Sequence, residues 1–415
     1  MKEFKVIYQG FGAAIDLGRL AEDGRDVLFQ YSAEAIDHQL ELSPLRLPLR
    51  SFAYPDQQTH YAGLHRIPGL LYDSLPDGWG FRLMDRHMKA RGLNLATVTI
   101  LDRLAYLGEN TMGALTYAPA MPELTPGAEL TLNELATEVW AVQVDESREV
   151  LSELARVGGS PGGARPKVAV YFNPAINRMS TQAGHALGAE PWLIKFPASD
   201  DAVDSCALEA LYAQIAHRCH LGMMETRFFE LADGLTAFGT KRFDRQGADR
   251  VHVHSLAGLL HADFRTPSVS YDDLFKVVRR LTRDHREIKK AIRLCVFNVL
   301  MNNRDDHSKN VAFLLNRQNA WQLTPPFDLT YCSGHRGEHF MDIAGEGKAP
   351  TRAHIVKAAQ SGGVNSKDTE DIIDAVLDCA TDRVFKALAK DFAIRQETVN
   401  VVARSIEANR QRLAG

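Results

Sequence analysis

Asp305 and Asn310 stand five residues apart in Asn303-Arg-Asp-Asp-His-Ser-Lys-Asn310, a run that packs carboxylates, an imidazole, an ammonium and two amides into one short segment. D-x-x-x-x-N is the spacing of a phosphoryl-transfer loop. There the aspartate accepts the proton of the attacking hydroxyl, and the asparagine side chain holds a magnesium ion. Eighteen residues beyond Asn310, Pro326-Phe-Asp-Leu329 supplies Asp328, a second hard oxygen ligand of the kind magnesium takes beside nucleotide phosphates. Taken singly, Asp305 and Asp306 read as turn formers and Asp328 as a cap. Their joint order and spacing favour the chemical reading.

Upstream, Val157-Gly-Gly-Ser-Pro-Gly-Gly-Ala-Arg-Pro-Lys167 is a glycine-rich loop that feeds a strand. Its glycines let backbone N–H groups close on a phosphate, and Lys167 adds positive charge. It is neither a Walker A loop nor G-x-G-x-x-G. Pro191-Trp-Leu-Ile-Lys-Phe-Pro197 follows as a strand carrying Lys195, and fourteen residues later Glu209 lies in a helical stretch. A strand lysine with a helix glutamate is the kinase arrangement for orienting the α- and β-phosphates. Gly158-Gly-Ser-Pro-Gly162 also matches the nucleophile elbow G-x-S-x-G. It follows a helix and opens a strand, the reverse of that elbow, and Pro161 lacks the N–H an oxyanion hole needs. Cys332, His335 and His339 could supply three zinc ligands, with no fourth evident and without finger spacing.

The elements that must hold these residues are readable in part. Ile288, Ala291, Ile292, Cys295, Val299 and Leu300 repeat at helical spacing, so a buried helix delivers the chain into 302–310, ahead of the strand-like Val311-Ala-Phe-Leu-Leu315. Thr131-Leu-Asn-Glu134 is a capping box opening a helix expected to run to about Val157. Ile372, Ile373, Val376 and Leu377, and then Val399, Val402 and Ile406, mark apolar helix faces near the end of the chain. Between Lys276 and Arg293 eight Lys/Arg face only Asp284 and Glu287, but Thr282 and Asp284 read as caps that split the stretch into two helices. A solvated face is the plain reading, and a docking surface for an acidic partner or RNA is the alternative.

The chain has 415 residues, 45% hydrophobic and 24% charged, with a net charge of −4. This is ordinary globular composition with room for two or three domains, and it does not suggest nucleic-acid binding by the chain as a whole. Five scattered cysteines without CxxC spacing imply free thiols in a reducing compartment. The sequence has no leader-like apolar region at its start and no run near ~18 apolar residues, so a cytoplasmic protein without membrane contact is expected.

In this order the motifs resemble the HipA family of toxin serine/threonine kinases. Leu75-Pro-Asp-Gly-Trp-Gly80 and Leu107-Gly-Glu-Asn-Thr-Met-Gly-Ala-Leu115 are similar to that family's N-terminal subdomain. Gly162-Gly-Ala-Arg-Pro-Lys167 resembles its phosphate loop, Lys241-Arg-Phe-Asp-Arg245 its hinge, Asn303–Asn310 its catalytic loop and Pro326–Leu329 its metal-binding strand end. Two positions depart from the family pattern: Pro161 directly follows Ser160, and Lys241 stands where relatives often carry an acidic residue.

The resemblance implies an α+β, two-lobed protein-kinase-like fold with a β-rich N-terminal subdomain and an all-helical C-terminal lobe. Expected boundaries are 1–120 for the N-terminal subdomain, 121–245 for the N-lobe part with glycine loop and hinge, and 246–415 for the helical lobe. It implies ATP and Mg²⁺ as cofactors, Asp305 as general base, and Asn310 and Asp328 as metal ligands. Lys195, oriented by Glu209, would hold the α- and β-phosphates. Gly162, Gly163, Ala164, Arg165, Pro166 and Lys167 would cover the triphosphate, with His307 near it. Lys241 and Phe243 would meet adenine. Ser160, the one hydroxyl between Val157 and Lys167, would be the inhibitory autophosphorylation site, since phosphoserine repels the phosphates it displaces. The implied target is a protein, an aminoacyl-tRNA synthetase, whose modification arrests translation and growth. The implied partner is a helix-turn-helix antitoxin, with DNA reached only through it. A small-molecule kinase and a catalytically silent kinase-like scaffold stay open as alternatives.

Overall fold

The computed structural model describes residues 2–22, 27–54, 62–121, 129–144, 152–158, 163, 165–181 and 188–415. They fall into two units. The first contains residues 1–203, 227–254 and 258–261, and the second residues 204–226, 255–257 and 262–415.

The first unit holds two antiparallel sheets. Strands β1 (Lys2–Tyr8), β2 (Ile15–Glu22), β3 (Val27–Tyr31) and β4 (Leu115–Ala118) form a sheet in the order β3-β2-β1-β4. Helices α1 (Ala33–Asp37), α2 (Gly69–Tyr72), α3 (Gly78–Ala90) and α4 (Ile100–Leu107) lie between β3 and β4 in sequence. The second sheet has six strands: β5 (Glu129–Leu130), β6 (Lys167–Asn173), β7 (Arg178–Ser180), β8 (Glu190–Lys195), β9 (Thr226–Glu230) and β10 (Thr236–Lys241), ordered β5-β7-β6-β8-β10-β9. Helix α5 (Leu132–Val144) opens on the expected capping box. The Thr131 N–H donates to Glu134 Oε2 at 2.7 Å, and the Glu134 N–H returns to Thr131 Oγ1 at 3.2 Å. The single helix expected to reach Val157 is described as two, α5 and α6 (Ser152–Gly158), with residues 145–151 outside the described set.

One apolar core joins Trp79 and Leu83 of α3, Leu135, Val139 and Val142 of α5, and Val168, Val170, Phe172, Trp192 and Ile194 of the sheet. Burying aromatic side chains of this size stabilises strongly. Truncating Trp192 to alanine costs about 3–5 kcal/mol at such a site. That core fixes the strands that carry Lys167 and Lys195. A short hairpin, β11 (Arg245–Gln246) with β12 (Asp249–Arg250), follows.

The second unit opens with α7 (Ser205–Arg218), and β13 (His252–Ser255) and α8 (Leu256–Leu260) contribute their ends to it. Its body is α9 (Tyr271–Thr282), α10 (His285–Leu300), α11 (Arg352–Ser361), α12 (Ser366–Cys379), α13 (Asp382–Leu388) and α14 (Gln396–Ala414). It is not helical throughout. The hairpin of β14 (Ala312–Leu315) with β15 (Trp321–Leu323), in register Phe313↔Leu323, interrupts the helices, and no strand follows Leu323.

The apolar spacing on α10 is explained by burial of all six residues that carry it, and the faces on α12 and α14 are likewise inside. The basic stretch does split at the expected place. Arg283 closes α9 in a left-handed conformation (φ 54°), and Asp284 caps α10 by accepting the Arg286 N–H. Four of its eight basic side chains are ion-paired, Lys276 with Asp273, Lys289 with Asp368, Lys290 with Glu287 and Arg286 with Asp284, which fits a solvated face.

The cysteine expectation needs correction. Cys219, at the C-terminal end of α7, and Cys379, the last residue of α12, form a disulfide with Cα atoms 5.4 Å apart. They are 160 residues apart in sequence, so only the packing of the helix ends brings them together. Cys206, Cys295 and Cys332 are free thiols. No helix among the described residues is long and apolar enough to cross a membrane.

Candidate functional site

Helix α10 ends at Leu300, and the chain turns through Asn302, a left-handed residue (φ 55°), into the 303–310 loop. Asn409 of α14 secures the turn, its Nδ2 donating to the Leu300 carbonyl at 3.2 Å. Within the loop, Asn310 Nδ2 donates to the main-chain carbonyl of Asp305 at 2.9 Å, and the Asn310 N–H donates to the His307 carbonyl at 2.9 Å. Asp305 is exposed, whereas Asp306 points inward and is 2% exposed. His307 packs between the rings of Phe264 (5.2 Å) and Phe340 (5.7 Å).

The β14–β15 hairpin then returns the chain towards Asp328. The Thr324 N–H donates to the Ala312 carbonyl at 3.0 Å, and the Leu323 N–H to buried Glu287 at 2.8 Å. Asp328 is half-buried and left-handed (φ 53°), a conformation that costs a non-glycine residue of order 1 kcal/mol or more and is concentrated at functional sites. Beyond it, the Cys332 N–H donates to the Asn302 carbonyl at 3.1 Å, and Asn302 Nδ2 answers to the Cys332 carbonyl at 3.0 Å. This bracket ties the segment after Asp328 to the root of the loop.

The donor chemistry suits a hard cation. Asn310 spends its amide nitrogen on the Asp305 carbonyl, so Oδ1 is the atom it can offer, and Asp328 offers a carboxylate. The zinc alternative fails. Among the described residues no group of three His, Cys, Asp or Glu could hold a metal, and His339 is turned to Asp306 instead.

In the first unit, α6 ends at Gly158 and β6 begins at Lys167, so the loop joins a helix to a strand as the sequence indicates and not as a nucleophile elbow. Ser160, Pro161, Gly162 and Ala164 lie outside the described residues. Gly163 has φ +103°, and a Cβ there would fall 2.3 Å from Lys167 Nζ, so a side chain would displace the ammonium. The Gly163 N–H donates to Asp77 Oδ2 at 2.8 Å. Asp77 precedes α3 but makes no capping bond to it.

Lys167 and Lys195 are direct partners in the antiparallel β6–β8 register, and both are buried, at 4% and 6% exposure. Like charges placed opposite each other on a sheet are destabilising. Lys195 Nζ also lies 5.8 Å from the Phe238 ring centroid. Arg165 pairs with Asp201 at 3.0 Å, and Pro166 accepts the Phe196 N–H on its carbonyl at 2.9 Å. Glu209 is buried on α7 of the second unit.

At the candidate hinge, Lys241 Nζ pairs with Glu190 at 2.5 Å, and Phe243 is half-buried. Between and beyond them Arg242 and Arg245 both clasp Asp244, each within 2.8 Å. Asp244 also accepts the Gly113 N–H at 2.7 Å, so the hinge region grips the Leu107–Leu115 segment. Burial opposes the charged form of Asp244, yet the two arginines hold its carboxyl well below the usual range.

Several of these roles are not legible in the motifs. Asp77 shows only as part of Leu75–Gly80, and Asp306 only as a neighbour of Asp305. His339 shows only as a would-be metal ligand beside Cys332 and His335.

Comparison with known proteins follows the same lines. A family model described as the HipA-like C-terminal domain matches residues 159–384, over half of the chain, and one described as the HipA N-terminal domain matches residues 11–118. The chain is similar to HipA in a solved complex of the Shewanella oneidensis MR-1 toxin–antitoxin system with HipB and operator DNA. There the identity is 16%, the TM-score 0.73, and the match covers 99% of this chain and 97% of that one. A Helicobacter pylori proinflammatory kinase, CtkA, aligns at 14% identity over 61% of this chain and 90% of its own, with a TM-score of 0.43. The search of curated proteins finds no match. With both family domains present, in order and along most of its length, this chain belongs to the HipA family.

Proposed function

We propose that the chain is an ATP-dependent protein serine/threonine kinase of the toxin type. The observation that carries this reading is the 303–310 loop. An exposed carboxylate, Asp305, is presented on a loop closed by Asn310, whose free amide oxygen is left for a cation in the same unit as Asp328. Asp305 accepts the proton of the substrate hydroxyl as it attacks the γ-phosphoryl group. Asn310 and Asp328 hold Mg²⁺, which when bound neutralises charge on the phosphates. Lys195 and Lys167 bind phosphate oxygens. Two buried ammonium groups set opposite each other make sense as a cradle for a polyanion. By family likeness Gly162–Lys167 cover the triphosphate, and Glu209 and His307 belong to the same phosphate-handling set. Lys241 and Phe243 border the adenine.

By family likeness the acceptor is a protein hydroxyl, with an aminoacyl-tRNA synthetase as the first candidate, and Ser160 is the autoinhibitory site. The Shewanella oneidensis relative is found with HipB and operator DNA, so we expect a helix-turn-helix antitoxin here too, with DNA contacted through it.

The test is transfer from γ-labelled ATP to a panel of purified synthetases, beside a metabolite panel. Label in a synthetase and in a Ser160 phosphopeptide is expected. Turnover confined to metabolites would contradict the protein-kinase reading.

A further inference from the structure

Asp306 follows Asp305 directly but faces the opposite way. Its Oδ2 accepts from the Tyr271 hydroxyl at 2.9 Å and from His339 Nδ1 at 2.8 Å, and its Oδ1 accepts the main-chain N–H of Phe340 at 2.8 Å. Tyr271 in turn accepts from Asn298 Nδ2 at 2.9 Å, and Asn298 Oδ1 accepts from Asn303 Nδ2 at 3.0 Å. All five side chains are buried. Burial first, then the Asp306 carboxylate, push the Tyr271 phenol well above its ordinary pKa, so it stays a hydrogen-bond donor.

A buried ionic network of this kind does not recommend itself for stability, because apolar replacements of similar shape often do as well or better. What it can supply is position. The chain joins the first residue of α9, the body of α10, both ends of the Asn303–Asp306 segment and residues 339–340 beyond Asp328. Phe340 is held by its N–H while its ring packs on His307, so one carboxylate sets the loop from beneath and from the side. Displacing a reacting group by about 1 Å can cost roughly 10²-fold in rate.

We infer that Asp306 is a positioning residue for phosphoryl transfer, fixing the Asp305 loop against the His339–Phe340 segment. The inference rests on the kinase reading above. His339 serves as its donor partner rather than as a metal ligand.

The test uses the full-length protein and its variants Asp306→Asn, His339→Leu and His339→Asn. Turnover, KM for ATP and thermal unfolding are measured on each. His339→Asn keeps an amide N–H near the place of Nδ1, whereas His339→Leu removes the donor. Expected for Asp306→Asn and His339→Leu is a fall in kcat of roughly 10- to 100-fold, with KM for ATP within about 2-fold of wild type. His339→Asn should recover to within about 5-fold of wild type. Wild-type turnover in Asp306→Asn, an equal loss in both His339 variants, or a KM that rises in step with the loss of kcat would each overturn the inference. Should Asp306→Asn fail to fold, the two His339 variants decide the matter. A wild type without phosphotransfer overturns the kinase reading and the positioning role of Asp306 with it. Hydrogen exchange of the peptide spanning 335–343 then judges the clamp alone. Exchange at least about 10-fold faster in His339→Leu upholds the clamp, and unchanged exchange removes it.

Discussion

Asn310 Nδ2 donates to the main-chain carbonyl of Asp305 at 2.9 Å, so the residue proposed to hold the metal also closes the loop that presents the base. Asn310→Ala loses both functions at once. We expect kcat to fall at least about 100-fold and the Mg²⁺ concentration for half-maximal rate to rise. A magnesium titration of phosphotransfer checks both. An unshifted titration midpoint would detach Asn310 from the metal.

Lys167 and Lys195 oppose one another in the β6–β8 register and are buried together. Lys167→Met removes a proposed phosphate contact, so KM for ATP should increase about 10-fold, worth about 1.4 kcal/mol, with kcat changed less. Thermal scans and ATP saturation curves on one preparation separate an effect on nucleotide binding from one on folding. A Tm several degrees lower with KM unchanged would make Lys167 a structural residue.

His252 is buried, and burial first, then the neighbouring His254, lower its pKa from 6.5 to about 3. The unfolded chain therefore takes up this proton first as pH falls. Its contribution to stability is complete above about pH 6.5 and is lost progressively towards pH 3. Between pH 7 and 5 this one group should cost about 2 kcal/mol, at 1.36 kcal/mol per pH unit below 6.5. Unfolding measured across that range should show a shallower decline in His252→Asn. Parallel curves would place the pH sensitivity elsewhere.

The Cys219–Cys379 disulfide closes a segment of 160 residues that includes the candidate catalytic loop. By the chain-entropy estimate such a closure stabilises by up to about 5 kcal/mol. The Cys219→Ser/Cys379→Ser double variant should unfold at a lower temperature than oxidised wild type and be insensitive to dithiothreitol. Wild type should fall to match it on reduction. Equal unfolding temperatures throughout would show that the bond contributes nothing to stability.

What could be read from the sequence, and what could not, divides along contact range. The α10 face, the split at Arg283–Asp284 and the capping box at Thr131 rest on contacts within a turn or two, and the periodicity of the chain encodes them directly. The strand with Lys195 and the turn after α10 are legible because local residue types at fixed spacing mark them. Cys219 with Cys379, Asp77 with Gly163, and His339 with Asp306 are contacts between distant segments, and nothing at either position announces the other. His339 illustrates the point. Beside Cys332 and His335 it looks like a metal ligand, and only the fold shows that its Nδ1 faces a carboxylate 33 residues away.

The account stands most directly on Asp305. With γ-labelled ATP and a protein acceptor, Asp305→Asn should lose about 10²- to 10⁴-fold in kcat while KM for ATP stays within about 2-fold of wild type, because the exchange removes the proton acceptor and leaves the nucleotide contacts in place. Phosphotransfer by Asp305→Asn at the wild-type rate would contradict it.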